Sequence, residues 1–114
     1  MPPDPRTYIW HARRAAAFVT EFVSGRSWAD YAADALLRSA VERQFEIIGE
    51  ALNQLRRVDE DLAAQVPDLA RVVAFRNVLI HGYAAIDDRL VWEAATDRAA
   101  DLIVVLDRLL EDPS

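Results

Sequence analysis

Apolar residues recur three and four positions apart along most of this chain, which is the spacing of one buried helix face. Tyr8, Ile9, Ala12, Ala15, Ala16, Val19, Phe22 and Val23 form the first such run. Asp4 followed by Pro5 supplies an N-cap with proline at the first helical position, and Gly25 ends the run. Ser27-Trp28-Ala29-Asp30 is close to a capping box: an oxygen acceptor with a carboxylate three residues later. The next helix is long. Leu37, Val41, Phe45, Ile48, Leu52 and Leu55 make its stripe, flanked by Leu36, Ala40, Ile47 and Ala51, while Arg38, Glu42, Arg43, Glu46, Glu50 and Asn53 lie opposite. So wide an apolar arc predicts burial against more than one neighbour.

Asp59-Glu60-Asp61 starts a short helical turn that Pro67 interrupts, and Asp68 is placed to cap a fourth helix running through Arg76 to Tyr83. Gly82 and the following Ala84-Ala85-Ile86-Asp87 end that helix, with Asp87 as cap of the last one. In the last helix Leu102-Ile103-Val104-Val105-Leu106 is apolar on every side and is expected to be covered on every side, in part by a second subunit. No strand-period segment competes, and no internal repeat or low-complexity region is visible. The pattern predicts an all-α fold: an antiparallel bundle of four to five helices forming a single domain over residues 1–114, paired as a homodimer.

Composition narrows this little. At 114 residues and 53% apolar content the chain can bury its own core and is not disordered. The absence of cysteine excludes disulfides and thiolate metal sites. No segment approaches the roughly 18 uninterrupted apolar residues of a membrane span, and Met1-Pro2-Pro3-Asp4 does not read as a signal peptide, so a cytoplasmic protein is the expectation. Nineteen acidic against 13 basic residues leave a net charge of −6. That balance disfavours broad nucleic-acid binding but permits a small basic site on an acidic surface. All the basic residues are Arg; the planar fork suits phosphate, although codon bias is sufficient to explain the lack of Lys.

Candidate chemistry concentrates in Phe75-Arg76-Asn77-Val78-Leu79-Ile80-His81-Gly82-Tyr83, where Arg, Asn, His and Tyr crowd into an apolar helical segment. On a helical wheel with Arg76 at zero, Asn77 falls at about 100°, His81 at about 140° and Tyr83 at about −20°. Asn77 and His81 are i,i+4 neighbours, so Asn77 can orient the imidazole. Arg76 and His81 do not point at one spot on a single ideal helix, but two copies related by a two-fold axis bring both into one cleft. Positive groups facing each other there need an anion between them, and a phosphodiester serves.

The residue types then suggest a reaction. Histidine as a residue type suits general acid–base work near neutrality, which makes His81 the candidate, while Arg76 offers its fork to non-bridging oxygens as charge builds on phosphorus. RNA carries its own nucleophile in the 2′-hydroxyl. No HxxxH, DxD or carboxylate cluster is present to house a metal, so neither metal nor other cofactor is expected. Chemistry alone leaves a plainer account open: a His near a helix C-terminus favours the helix dipole, and an Arg five residues earlier can pair with a surface carboxylate.

Arg76, His81 and Tyr83 spell R-x4-H-x-Y, which resembles the signature of the HEPN superfamily and in particular its HepT-like toxins. The likeness extends beyond the motif. Ala40 to Leu52 resembles the family's second core helix, Phe75 to Tyr83 its motif helix, and Val91-Trp92-Glu93 the opening of the last helix; together the likeness runs from about Thr7 to Leu110. It implies a homodimer with the motif at the dimer cleft and a ribonuclease toxin of a toxin–antitoxin pair. Arg76 and His81 are then catalytic, Asn77 is a positioning group, and RNA is the substrate. The implied partner resembles a minimal nucleotidyltransferase antitoxin that attaches AMP to Tyr83, in a possible hetero-oligomer with the toxin. A phenol carrying adenylate beside the cleft would block it by bulk and by charge.

Other polar residues read as surface. Arg13, Arg14 and Arg43 can add to a basic cleft but are expected to be solvated charges. His11 beside Trp10 is expected at the surface or in packing. Glu46 and Glu50 lie on a polar face, where pairing along the helix with Arg43 suffices for Glu46 and a role orienting Arg76 stays open. Two further functions remain beside the ribonuclease: a catalytically silent nucleotide- or RNA-binding module that recruits a nucleotidyltransferase, and a purely structural dimerising bundle.

Overall fold

The computed structural model describes residues 4–82 and 86–111, and among these the fold is all helix, with no strand. Helix α1 spans Pro5–Val23, α2 Trp28–Ala33, α3 Ala35–Val58, α4 Glu60–Ala63, α5 Leu69–His81, α6 Asp88–Glu93 and α7 Ala99–Glu111; a π-helical turn, Ala94–Arg98, joins the last two.

The expected start signals act through the side chains that the sequence offers. Asp4 accepts from the Arg6 N–H, and Pro5 stands at the first helical position. Ser27 and Asp30 form the reciprocal capping box, Ser27 Oγ accepting from Asp30 N and Asp30 Oδ2 from Ser27 N. Asp87 accepts from Arg89 N and Leu90 N. Gly25, at φ +74°, turns the chain after α1. Asp34, which the periodicity did not single out, caps α3 by accepting from Leu37 N. Asp68 departs from expectation. It precedes α5 but adopts φ +58° and makes no side-chain cap bond, because a left-handed residue directs its carboxylate away from the first-turn N–H groups. The tight turn after Pro67 requires that conformation more than α5 requires its cap.

Helix α3, at 24 residues and so about 36 Å long, is the axis of the molecule. Its wide apolar arc packs against α1 on one side and α5 on the other, as the arc's width predicts. Val41, Ile48, Leu52 and Leu55 are buried beneath Ile9, Ala12, Ala16 and Val19 of α1 and within the common core. Helix α7 returns antiparallel to α1: Arg6 donates to the Leu110 carbonyl, and Arg13 Nε meets Asp107 Oδ1 at 2.8 Å. Arg13 is therefore a strut between α1 and α7, not a free charge.

The last helix is less regular than its sequence suggests. Val91, Ala95 and Ala99 are all buried at intervals of four, a spacing that drifts by about 40° per step on an α-helix. The wider π turn at Ala94–Arg98 offsets part of that drift. Thr96 Oγ1 donates to the Trp92 carbonyl at 2.9 Å within this turn. Within the single chain Leu106 is buried but Val104 is 51% exposed, so the all-round covering expected for this helix is incomplete in one protomer. No helix is long and apolar enough to cross a membrane among the described residues.

Candidate active site

The contact between α3 and α5 is set by a glycine. Gly49 is buried, and a Cβ built on it would lie 2.2 Å from Arg76 Cβ, 2.7 Å from Arg76 Cγ and 3.4 Å from the Val72 carbonyl oxygen. The stem of Arg76 thus rests directly on the α3 backbone. One turn away Phe45 and Phe75 stack across the same junction, ring centroids 5.2 Å apart.

Held this way, the Arg76 guanidinium reaches two acceptors. Nη2 donates to Glu50 Oε2 at 2.5 Å, and Nη1 donates to Asn77 Oδ1 at 2.8 Å. Glu50 is steadied in turn by Gln54, whose Nε2 donates to Oε1 at 3.2 Å. Nε of Arg76 is buried without a partner. One donor on each Nη therefore remains uncommitted, out of the five N–H groups that a guanidinium carries. The side chains are 24% and 46% exposed for Arg76 and Glu50. An ion pair so open to water contributes little to stability; its consequence is geometric, fixing the plane of the fork.

The remaining motif residues are placed differently. Asn77 is exposed and accepts from Arg76; no hydrogen bond joins it to His81 among the described residues. Its side chain orients the guanidinium, whereas the i,i+4 spacing had suggested the imidazole. His81 is the last residue of α5 and is exposed, one residue before Gly82, whose N–H closes the helix on the Val78 carbonyl at 2.7 Å. Tyr83 lies outside the described residues.

Arg76 lines one wall of an open trough of about 310 Å3. Its floor is the α3 face bearing Ile47 and Ala51 between Arg43, Glu46 and Glu50. Ile80 stands beside Arg76 on the α5 wall, and Tyr8 and His11 form the α1 wall opposite. His81 is not among the lining residues. His11, read from sequence as a surface or packing residue, therefore shares a cavity with Arg76; the only signal for this was its i,i+3 relation to Tyr8 on α1. Arg43 and Glu46 make no ion pair with one another, and Arg43 makes none among the described residues, so the intrahelical pairing expected for Glu46 is not formed. Arg14 lies instead over the rings of Trp10 and Phe18, at 5.5 and 5.4 Å. No group of three or more His, Cys, Asp or Glu side chains among the described residues is placed to hold a metal ion.

An all-helical bundle whose central helix clamps an arginine of an R-x4-H helix defines a class, and comparison with known proteins agrees with it. Residues 12–109 match the family model described as Ribonuclease HepT-like. The chain belongs to the HepT-like ribonuclease family. Among curated relatives it is 33% identical over 98 residues to "Putative RNase TTE0752" of Caldanaerobacter subterraneus subsp. tengcongensis, covering 86% of this chain and 87% of the relative. It is 32% identical over 92 residues to "Putative RNase MJ1380" of Methanocaldococcus jannaschii, covering 79% and 82%. With "Probable ribonuclease HepT" of Thermococcus cleftensis the figures are 29% over 99 residues, 85% and 87%. No solved structure matches.

Proposed function

We propose that this ribonuclease is a metal-independent endoribonuclease toxin of a toxin–antitoxin pair, acting as a homodimer whose cleft combines Arg76 and His81 of both copies. The observation that carries the reading is the arginine clamp. Glu50 and Asn77 hold Arg76 at the rim of an open trough with a donor left on each Nη, and His81 stands exposed at the end of the same helix. The name of the Thermococcus cleftensis relative and the family description support the substrate class.

In this mechanism one His81 imidazole takes the proton of the RNA 2′-hydroxyl as that oxygen attacks phosphorus. The P–O5′ bond breaks, a protonated imidazole, that of the other copy, gives its proton to the leaving 5′-oxygen, and the products are a 2′,3′-cyclic phosphate and a 5′-hydroxyl end. Arg76 presents its free donors to the non-bridging oxygens, where charge accumulates in the transition state. Asn77 serves as positioning group for the guanidinium. The homodimer draws support from α5 itself: Val78, beside the core residue Leu79 and on the opposite side of the helix from the trough residue Ile80, is 53% exposed, an apolar side chain next to the motif that a second copy would cover. Silencing by a nucleotidyltransferase antitoxin that adenylylates Tyr83 completes the proposal and rests on the R-x4-H-x-Y motif.

A binding module that does not cut draws on one observation: among the described residues His81 makes no hydrogen bond to Arg76 or Asn77. One experiment separates the two. Purified protein and its His81→Ala variant are incubated with total RNA and tRNA in EDTA. Cleavage by the parent alone, with 2′,3′-cyclic phosphate ends, supports the ribonuclease. No cleavage by a parent whose Tyr83 is unmodified by mass spectrometry supports the module.

A further inference from the structure

The trough does not stop at the motif. From Arg76 and Ile80 it crosses α3 to Tyr8 and His11 on α1, without His81 among its lining residues. At about 310 Å3 it lies near the lower end of ligand sites, which run from about 300 to 1,000 Å3, so it accommodates one nucleotide and not a duplex. Its chemistry suits a nucleotide: an apolar floor of Ile47 and Ala51, an aromatic wall in Tyr8, and the cationic head of Arg43 and the imidazole of His11 among the lining groups. Arg43 is uncommitted, having no ion pair among the described residues. Glu50 is already taken by Arg76 and Gln54, which leaves Glu46 as the one carboxylate in the trough to accept from a base amino group or a ribose hydroxyl.

We propose that this trough is a substrate subsite holding the nucleotide next to the scissile bond, with Arg43 and His11 binding a phosphate of that nucleotide and Tyr8 with Ile47 packing its base. This assignment rests on the ribonuclease reading above. It gives a chain of net charge −6 a local answer to RNA capture: two arginines and an imidazole around one trough. Single-stranded nucleic acid is bound elsewhere by the same combination of a cationic track and an aromatic face.

The test measures affinity without turnover. A short 2′-fluoro RNA, which lacks the attacking hydroxyl, is titrated by fluorescence anisotropy with the full-length protein and with Arg43→Gln, His11→Ala and Arg57→Gln. Arg57 is exposed on α3 and does not line the trough, so it controls for general charge loss. Arg43→Gln and His11→Ala are each expected to weaken binding on the order of tenfold, the size of one charge-assisted hydrogen bond. Arg43→Gln should also flatten the dependence of log K on log salt by about 0.7, the value for one phosphate on a single strand. Both exposed residues can be replaced without touching the core. If Arg43→Gln matches Arg57→Gln in affinity and salt slope, the subsite is refuted even where the parent cleaves RNA. If the parent binds but does not cut, the ribonuclease reading fails and the affinities still decide the subsite. Unchanged RNA affinity with loss of a co-purifying protein would overturn it in favour of a protein-docking face.

Discussion

Gly49 and Arg76 are in such close contact that a methyl group on the glycine would sit 2.2 Å from the arginine's Cβ. The stem cannot swing aside cheaply, because Cβ and Cγ are the rigid base of the side chain and belong to a helix packed directly on α3. Fold and site therefore meet at one hydrogen atom. Gly49→Ala is expected to force α3 and α5 apart, destabilising the domain by about 1–3 kcal/mol, the usual cost of overpacking, and to remove RNA cleavage by displacing the guanidinium. Urea denaturation and a cleavage assay check both. Gly25→Ala is the contrast: nothing lies within 4 Å there, but φ is +74°, so it should cost roughly 1–2 kcal/mol and leave the activity of the folded protein intact.

Glu50 fixes the Arg76 fork while itself remaining nearly half exposed. Glu50→Gln, with Gln54 and Asn77 unchanged, should lower kcat by about tenfold to a hundredfold, the scale of a small misplacement, with KM altered little. Steady-state kinetics on a defined oligoribonucleotide read the split. An increase in kcat would mean that the carboxylate restrains Arg76 instead of preparing it.

Val78 projects from α5 into solvent in the single chain, so Val78→Asp should leave the protomer folded while disfavouring an apolar pairing surface. Analytical ultracentrifugation is expected to show a monomer in place of a dimer, and cleavage should fall with it if, as proposed, each cleft combines residues from both copies. A monomeric variant with parental activity would refute the composite site.

Towards the N-terminal end of α3 the carboxyl of Glu42 is raised above its ordinary range by burial first, and then by the charges of Asp88 and Glu46, with Arg38 opposing. It lies near Tyr31, a fully buried residue whose hydroxyl has no hydrogen-bond partner and whose ionisation is likewise raised, chiefly by burial. A carboxyl raised on folding stabilises the fold below its unfolded pKa and loses that contribution as pH rises through the folded one. At pH 7 Glu42 is thus a liability that Glu42→Gln removes. Thermal denaturation should show a higher Tm for the variant at pH 7, and a gap that closes as the pH falls below the ordinary Glu range.

What the sequence determined by itself was local. Helix starts at Pro5, Trp28 and Asp88 were legible because Asp4, Ser27 with Asp30, and Asp87 satisfy N–H groups within a few residues of themselves. The central role of α3 was legible from the breadth of its apolar arc, and the motif from residue types unusual in a buried helix. The family resemblance read from Arg76, His81 and the Ala40–Leu52 block agrees with the family match. Only the tertiary structure decided the rest, because each of those features is a contact between residues far apart in the chain or a compromise between neighbours. Asp68 yields its cap to the turn that precedes it, and α6 widens into a π turn within the run that buries Val91, Ala95 and Ala99. Glu50 lies 26 residues before Arg76, and no pattern along α3 distinguishes its carboxylate from that of Glu46 one turn away. His11 reaches the trough only because α1 and α5 flank the same helix. A hydrogen in place of a side chain at position 49 then lets that helix and α5 close upon each other.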